Sequence, residues 1–96
     1  MTRHTELEVI LSHEHADFDA LASLLGAALL YPQALPVLPR RINSNVRAFV
    51  DEYQNELPFY QPQDLPRGHV QRAILVDTDG VNLVKGMDDE TTYFVI

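Results

Sequence analysis

The sequence lacks cysteine and tryptophan, and basic residues are scarce: seven Lys and Arg stand against 14 Asp and Glu. Without cysteine, a disulfide scaffold and a thiolate metal site are both excluded, so any metal ion must be bound by oxygen and imidazole ligands. The formal net charge of -7 disfavours nonspecific binding to duplex DNA or to anionic membranes, because the long-range field repels both. A phosphate-bearing substrate is not excluded, since a bound cation inverts the local field.

Long hydrophobic runs are also missing. The longest apolar stretch, residues 20–31, is interrupted by Ser23 and Gly26 and is too short to span a bilayer. The opening "MTRHTELE" has no signal-peptide pattern, so we expect a cytoplasmic protein with no membrane partner. A chain of 96 residues, with 46% hydrophobic and 22% charged residues, predicts one small globular domain.

Apolar segments alternate along the chain between strand-like and helix-like patterns. Short runs rich in branched residues predict strands at residues 7–11, 72–76 and 91–96, with a further short strand near 35–38 at a sheet edge. Residues 19–30 and 44–57 have helical spacing. This alternation predicts an α/β fold: a Rossmann-like, mostly parallel sheet with helices on both faces.

The two predicted helices differ in their apolar pattern. The first is apolar almost all around its axis, which predicts deep burial, and Gly26 in its interior is expected to allow close packing against the sheet. The second is amphipathic, with Ser44 or Asn45 as the N-cap candidate and Pro58 as the stop. Phe49 and Tyr53 are expected to be core or flanking residues rather than base-stacking ones.

The segment "SHEHADFDA", residues 12–20, concentrates potential metal ligands between the first strand and the first helix. It contributes His13, Asp17 and Asp19, and Asp77 follows the later strand "RAILV". Ligands of open parallel sheets bind beyond the carboxyl ends of the strands, so neighbouring strands would bring these acids together. Close carboxylates repel one another unless a cation binds between them. Carboxylates with an imidazole suit magnesium or manganese.

Each acid alone also has an ordinary structural explanation. Asp19 could cap the helix, and Asp77 could begin a turn. A single cap does not explain His13 and a second acid on the same turn, matched by another acid after a second strand. We therefore favour metal binding for the whole set.

These residues resemble two motifs of the DHH phosphoesterase family. "HEHADFDA" is similar to the first motif, H-x-x-x-D-x-D, and "ILVDT" is similar to the second, a strand ending in aspartate. The surrounding sequence most resembles the N-terminal DHH domain of long bacterial proteins that also contain CBS domains and a tRNA nucleotidyltransferase/poly(A) polymerase-like module. The resemblance implies that residues 1–96 are the N-terminal part of a single DHH domain, ending before its Asp-His-His motif.

The resemblance also implies a role for each residue. His13 and Asp17 would bind one ion, Asp19 a second, and Asp77 would bridge both, with Mn²⁺ or Mg²⁺ as the two ions. Asp17, Asp19 and Asp77 would thus act in catalysis as metal ligands. The implied activity of the full-length parent is hydrolysis of phosphodiester or phosphoanhydride bonds in nucleotides or short oligonucleotides. The segment alone is expected to be inactive and to self-associate, as a homodimer for example, through bare apolar surface.

Other functions stay open at this point. One is a non-catalytic nucleotide-binding or regulatory DHH domain in a tRNA nucleotidyltransferase-like fusion protein. Another is a receiver-like, magnesium-binding signalling module, in which His13 has no role. Arg40 and Arg41 are candidates to contact phosphate, with solvated loop charges as the alternative, and His69 is expected to be a surface residue outside any motif.

Overall fold

The computed structural model describes residues 6–14, 17–76, 84 and 86–96. Asp77, one of the four predicted metal ligands, lies outside these residues. The described chain forms four strands, two α-helices and one short 3₁₀ helix, Pro62–Asp64. In chain order the main elements are β1 (Glu6–Leu11), α1 (Phe18–Leu30), β2 (Leu35–Pro36), α2 (Ser44–Glu52), β3 (His69–Leu75) and β4 (Thr92–Val95).

All four strands belong to one parallel sheet with the order β2-β1-β3-β4. The prediction of an α/β fold with a parallel sheet is confirmed, and β2 lies at the sheet edge as its prolines indicated. Leu11 pairs with Leu75, so β1 and β3 end at the same level. The Val76 N–H donates to the Leu11 carbonyl oxygen at 2.9 Å, which extends this pairing one residue past β3.

Alternate residues of the central strands supply two apolar cores. Ile10 and Ile74 face α1 and α2, where they pack with Leu24 and Val46. The opposite face has a second cluster, whose buried members are Leu7, Val9, Leu11, Val37, Leu65, Val70, Ala73 and Leu75. Within the described residues both α-helices thus pack on one face, and loop residues such as Leu65 cover the other. The predicted placement of helices on both faces needs this correction.

The N-terminus of α1 is fixed by Asp17 rather than by Asp19. The Asp17 side chain accepts a hydrogen bond from the Ala20 N–H at 2.9 Å, and the helix begins at Phe18, one residue before the predicted start. Asp19 lies in the first turn, where its negative charge is favourable next to the helix dipole. Gly26 is exposed, and a Cβ added there would meet nothing within 4 Å. The expectation that Gly26 packs closely against the sheet is therefore wrong.

The second helix is shorter than the predicted span of residues 44–57. It ends at Glu52, and residues 53–56 form turns that lead to Pro58. Asn43 occupies the N-cap position without a side-chain cap bond, whereas the Asn45 side chain accepts from the Val46 N–H at 3.0 Å. The predicted cap at Ser44 or Asn45 is thus wrong, because both lie inside the helix.

None of the α-helices in the described ranges is long and apolar enough to cross a membrane.

Candidate functional site

The crevice at the carboxyl ends of β1 and β3 is the natural ligand position in this sheet. From β1 the chain passes through α1 to β2 on one side, and later returns to β3 on the other side. The strand order therefore reverses at β1, and ligands of open α/β sheets bind where such a reversal occurs. Residues 12–14 leave β1 at this edge, and the N-terminus of α1 follows at Asp17.

Three of the four predicted metal ligands are described at this edge. His13 is partly buried just past β1, whereas Asp17 and Asp19 are exposed at the start of α1. Asp77 directly follows Val76 in the sequence and lies outside the described residues. Residues 6–14, 17–76, 84 and 86–96 contain no group of three or more His, Asp or Glu side chains placed to hold a metal ion. His13, Asp17 and Asp19 thus do not complete a metal site by themselves.

The donor chemistry of these residues nevertheless suits a hard divalent cation. Two carboxylates and an imidazole are ligands that manganese accepts and that magnesium accepts in part. The cap bond to Ala20 uses one of about four acceptor positions on the Asp17 carboxylate, so capping and metal binding are compatible. The ligand atoms of His13, Asp17 and Asp19 therefore suit a divalent cation, and a complete site would also need Asp77.

A pocket opens beside this edge, between the ends of β1 and β2. It is small, with about 20 Å³ of space, which is room for about one water-sized group. Its polar lining residues are Ser12, Glu14 and Arg40, and the others are apolar. The Arg41 backbone N–H donates to Glu14 Oε2 at 3.1 Å, which ties the loop after β1 to the loop after β2. Of the two arginines considered for phosphate contact, Arg40 lines this pocket and Arg41 positions Glu14.

Three aromatic rings flank the start of α1. Phe18 and Phe49 have ring centroids 5.7 Å apart in an edge-to-face arrangement, and Phe49 lies 4.9 Å from Tyr53. All three side chains are more than one third exposed. Phe49 and Tyr53 are therefore flanking residues of the helical layer, one of the two environments expected for them.

The opposite, amino edge of the sheet holds a histidine that sequence reasoning left as a surface residue. His69 Nδ1 lies 3.0 Å from Glu6 Oε2, and His69 Nε2 lies 2.8 Å from Asp88 Oδ1, so the ring bridges two carboxylates. These hydrogen bonds, to Glu6 first and then to Asp88, raise the pKa of His69 above its usual 6.5. The bond to His69 in turn lowers the pKa of Asp88.

Nothing in the sequence signals this acid–histidine–acid bridge. Glu6 and His69 face each other because of the β1–β3 register, and that register shifts between Leu7 and Glu8. Asp88 arrives from the segment before β4, about 20 residues later. The predicted strand began only at residue 72, whereas β3 begins at His69, so the prediction left this histidine outside the strand.

Comparison with known proteins finds a relative among the tRNA nucleotidyltransferases. The chain is 35% identical over 72 residues to an A-adding tRNA nucleotidyltransferase of Geobacter sulfurreducens. The match covers 74% of this chain and 8% of that much longer protein. No protein-family profile matches the chain, and no solved structure matches it. The similarity indicates a relation to tRNA nucleotidyltransferases.

Proposed function

We propose that this chain supplies the N-terminal half of a divalent-metal site in a DHH-type phosphoesterase domain of a tRNA nucleotidyltransferase-related polypeptide. The main support is the parallel pairing of β1 with β3, in which Leu11 opposes Leu75. The end of β1 is therefore bonded to Val76, because the Val76 N–H donates to the Leu11 carbonyl oxygen. Asp77 is the next residue in the sequence. The strands that precede the two motifs are therefore neighbours, as convergence of the acids requires.

In this proposal His13 and Asp17 hold one ion, Asp19 holds the second, and Asp77 bridges them. When bound, Mn²⁺ or Mg²⁺ would supply Lewis-acid activation of water and neutralise charge on a phosphate. Asp17 also keeps the first turn of α1 in place through its bond to Ala20, so one carboxylate links the fold to the site. The chain offers ligands to the ions and no nucleophile of its own.

The proposed substrate is a nucleotide or a short oligonucleotide. The net charge of -7 disfavours long duplexes, whose backbone needs a basic binding surface. The name of the Geobacter relative includes tRNA, a polyribonucleotide, which is consistent with a substrate built of nucleotides.

A second candidate function is non-catalytic nucleotide binding or regulation within a nucleotidyltransferase. One observation favours it: the relative is named as a nucleotidyltransferase rather than a hydrolase. In that case the carboxyl edge would bind a nucleotide without hydrolysing it.

The test is manganese-dependent hydrolysis of bis-p-nitrophenyl phosphate by the full-length polypeptide that carries this chain. Asp77→Asn and Asp17→Asn should each lower the rate at least ~10-fold, since a ligand matters at least as much as the groups that orient it. Asp51→Asn near the end of α2, an exposed acid outside both motifs, is the matched control and should retain the rate. Equal rates for the native protein and Asp77→Asn would contradict the bridging role. Manganese binding without any hydrolysis would instead favour the second candidate.

A further inference from the structure

An exposed aromatic side chain lies between two of the predicted metal ligands in the sequence. Phe18 is the first residue of α1, and its sequence neighbours are Asp17 and Asp19. Phe18 is 45% exposed, although phenylalanine is among the residue types most often buried. Apolar surface that remains exposed in a folded domain often marks a place where a ligand or partner binds. The carboxyl edge therefore offers a large apolar group beside its carboxylates.

Phe18 lines a cleft between α1 and α2. The described lining residues are all apolar, and the exposed ones among them are Phe18, Ala22 and Phe49. The cleft has about 220 Å³ of space, more than ten times the 20 Å³ of the pocket beside Ser12. It therefore has room for a ring system rather than for a single water-sized group.

The Phe18 ring is held in place by its neighbours in the fold. Phe49 packs against it edge to face with ring centroids 5.7 Å apart, and Phe49 in turn lies 4.9 Å from Tyr53. The backbone beneath the ring is fixed by the bond from the Ala20 N–H to the Asp17 side chain. A ring that is already positioned loses little conformational freedom when a ligand stacks on it. Phe49 and Tyr53 thus remain flanking residues, and the exposed part of Phe18 is the surface open to a ligand.

The lining of the cleft selects an uncharged, planar ligand group. No side chain that lines it is charged or polar within the part of the chain that the structure describes, so a phosphate would lose its hydration there without compensation. A nucleobase is uncharged, and its flat face stacks on aromatic side chains whatever the base. The base and the phosphate of a nucleotide are attached to the same sugar. A phosphate bound at Asp17 and Asp19 therefore leaves its base within reach of Phe18.

We propose that Phe18 stacks against a nucleobase of the substrate and binds it without selecting among the bases. The inference rests on the proposed function, which supplies the nucleotide and the ions that hold its phosphate. Phe18 is then a binding residue, and the acids on either side of it are the metal ligands. An apolar cleft also suits a segment of protein, and the position of Phe18 between two metal ligands is what favours the nucleobase.

The experiment compares the affinity of the full-length polypeptide for two fluorescent trinucleotides with the same backbone. One is tri-adenylate, and the other lacks all three bases. Both carry phosphorothioate linkages to slow hydrolysis, and binding is followed by fluorescence anisotropy with Mn²⁺ present. The native protein should bind tri-adenylate about tenfold more tightly, in line with the stacking of one base. Phe18→Leu should bring the two affinities to within about twofold, whereas Phe18→Tyr, which keeps an aromatic face, should retain the preference.

Phe94→Leu on β4 is the matched control. Phe94 is 48% exposed, does not line the cleft and undergoes the same substitution, so the preference for tri-adenylate should stay native. Ala22→Gln is a second test at an exposed residue of the cleft. Glutamine is uncharged and compatible with a helix, and its longer side chain should fill the cleft and lower the preference to about twofold.

Two results would overturn the inference. These are equal affinity of the native protein for the two trinucleotides, and a preference for tri-adenylate that persists in Phe18→Leu. If Phe18→Leu does not fold by circular dichroism, Ala22→Gln decides, and an unchanged preference there rejects the cleft. A Phe18→Leu protein that keeps the preference but loses stability in urea would identify a protein segment as the occupant instead.

The trinucleotide without bases, made with ordinary phosphodiester linkages, separates this inference from the proposed function. Its hydrolysis with Mn²⁺ needs the metal ligands and not the cleft. Hydrolysis of both trinucleotides without any preference for tri-adenylate rejects the cleft alone. Failure to hydrolyse and to bind either trinucleotide rejects the proposed function as well.

Discussion

The two edges of the parallel sheet are built in opposite ways. At the amino edge, His69 bridges Glu6 and Asp88, and the segment before β4 is tied to β3 by further bonds. The Val70 N–H donates to the Gly86 carbonyl oxygen at 2.7 Å, and the buried Thr91 hydroxyl donates to the Val70 carbonyl oxygen at 2.7 Å. At the carboxyl edge, Asp17 and Asp19 are exposed, and the buried Ser12 hydroxyl has no partner among the described residues.

This difference separates the part of the molecule that holds the fold from the part that meets a ligand. Charges satisfied inside the chain contribute to stability, whereas polar groups directed to a crevice keep their capacity for a substrate or ion. Substitutions at the amino edge should therefore change stability, and those at the carboxyl edge should change binding, except at Asp17, which also caps α1.

The largest expected effect is at Gly86, on the amino edge. Gly86 has φ of +93°, and a Cβ there would collide with the Gly68 carbonyl oxygen, a backbone atom that cannot move aside cheaply. Gly86→Ala should lower the free energy of unfolding by about 2–3 kcal/mol, measured by urea denaturation. Gly26→Ala is the matched control, because its Cβ would meet nothing within 4 Å. Relief of the helix cost of glycine should raise stability there by up to ~1 kcal/mol. A Gly86→Ala protein as stable as the native one would contradict the close approach.

A smaller effect is expected at Asp17, where one side chain can be tested both for its role in stability and for its role in binding. Asp17→Ala removes the bond to the Ala20 N–H and should cost about 0.5–2 kcal/mol of unfolding free energy. Asp17→Asn retains a side-chain acceptor and removes the charge, so stability should stay nearly native while manganese binding falls. Thermal denaturation and manganese titration of both variants give the two readouts. Native manganese affinity in Asp17→Asn would show that its carboxylate serves the helix alone.

The smallest effect is the pH dependence of the His69 bridge, because its charges are close to solvent. The pKa of His69 is raised by Glu6 and Asp88, so its contribution is complete below pH 6.5 and is lost as the pH rises through the raised value. The pKa of Asp88 is lowered from 3.8, mainly by His69, so its contribution is lost as the pH falls through that lowered value. Stability attributable to the bridge should thus be greatest at mildly acidic pH.

The measurement is the thermal midpoint of native protein and His69→Gln between pH 4 and pH 9. The difference between the two should shrink above neutral pH and in high salt, which screens exposed charges. Other charged groups nearby, notably Glu8 with Arg72 at 3.7 Å and Glu90 beside Asp88, are present in both proteins and cancel in the comparison. A difference that grows as the pH rises would contradict the assigned charge state of the bridge.

The sequence was informative wherever the cause of a structure is local. The apolar runs identified the strands, and their alternation with helices predicted a parallel sheet. Prolines indicated that β2 lies at an edge, and helical spacing located α1 to within one residue. The carboxyl edge could be predicted because its residues directly follow strands, and the neighbouring positions of β1 and β3 agree with that expectation. The predicted metal ligation itself stays a prediction.

Features that depend on register or on distant returns of the chain could not be predicted. The bridge at His69 requires the exact β1–β3 pairing and the arrival of Asp88, and no local pattern encodes either. The helical spacing of apolar residues continues to residue 57, but α2 ends at Glu52 because residues 53–56 form turns. The burial of the Ser12 hydroxyl, which has no partner among the described residues, depends on tertiary packing that no local pattern encodes.

The two outer strands of the sheet differ in whether another strand can pair with them. On β2, Pro36 has no N–H to offer, and its carbonyl oxygen accepts from the Tyr60 N–H at 2.9 Å, so that side is closed by a residue of the same chain. On β4, Thr92–Val95 pairs with β3 on one side, and no strand of the described chain pairs with its other side. Any additional strand, from this polypeptide or from another, would therefore join next to β4 and lengthen the sheet in that direction alone.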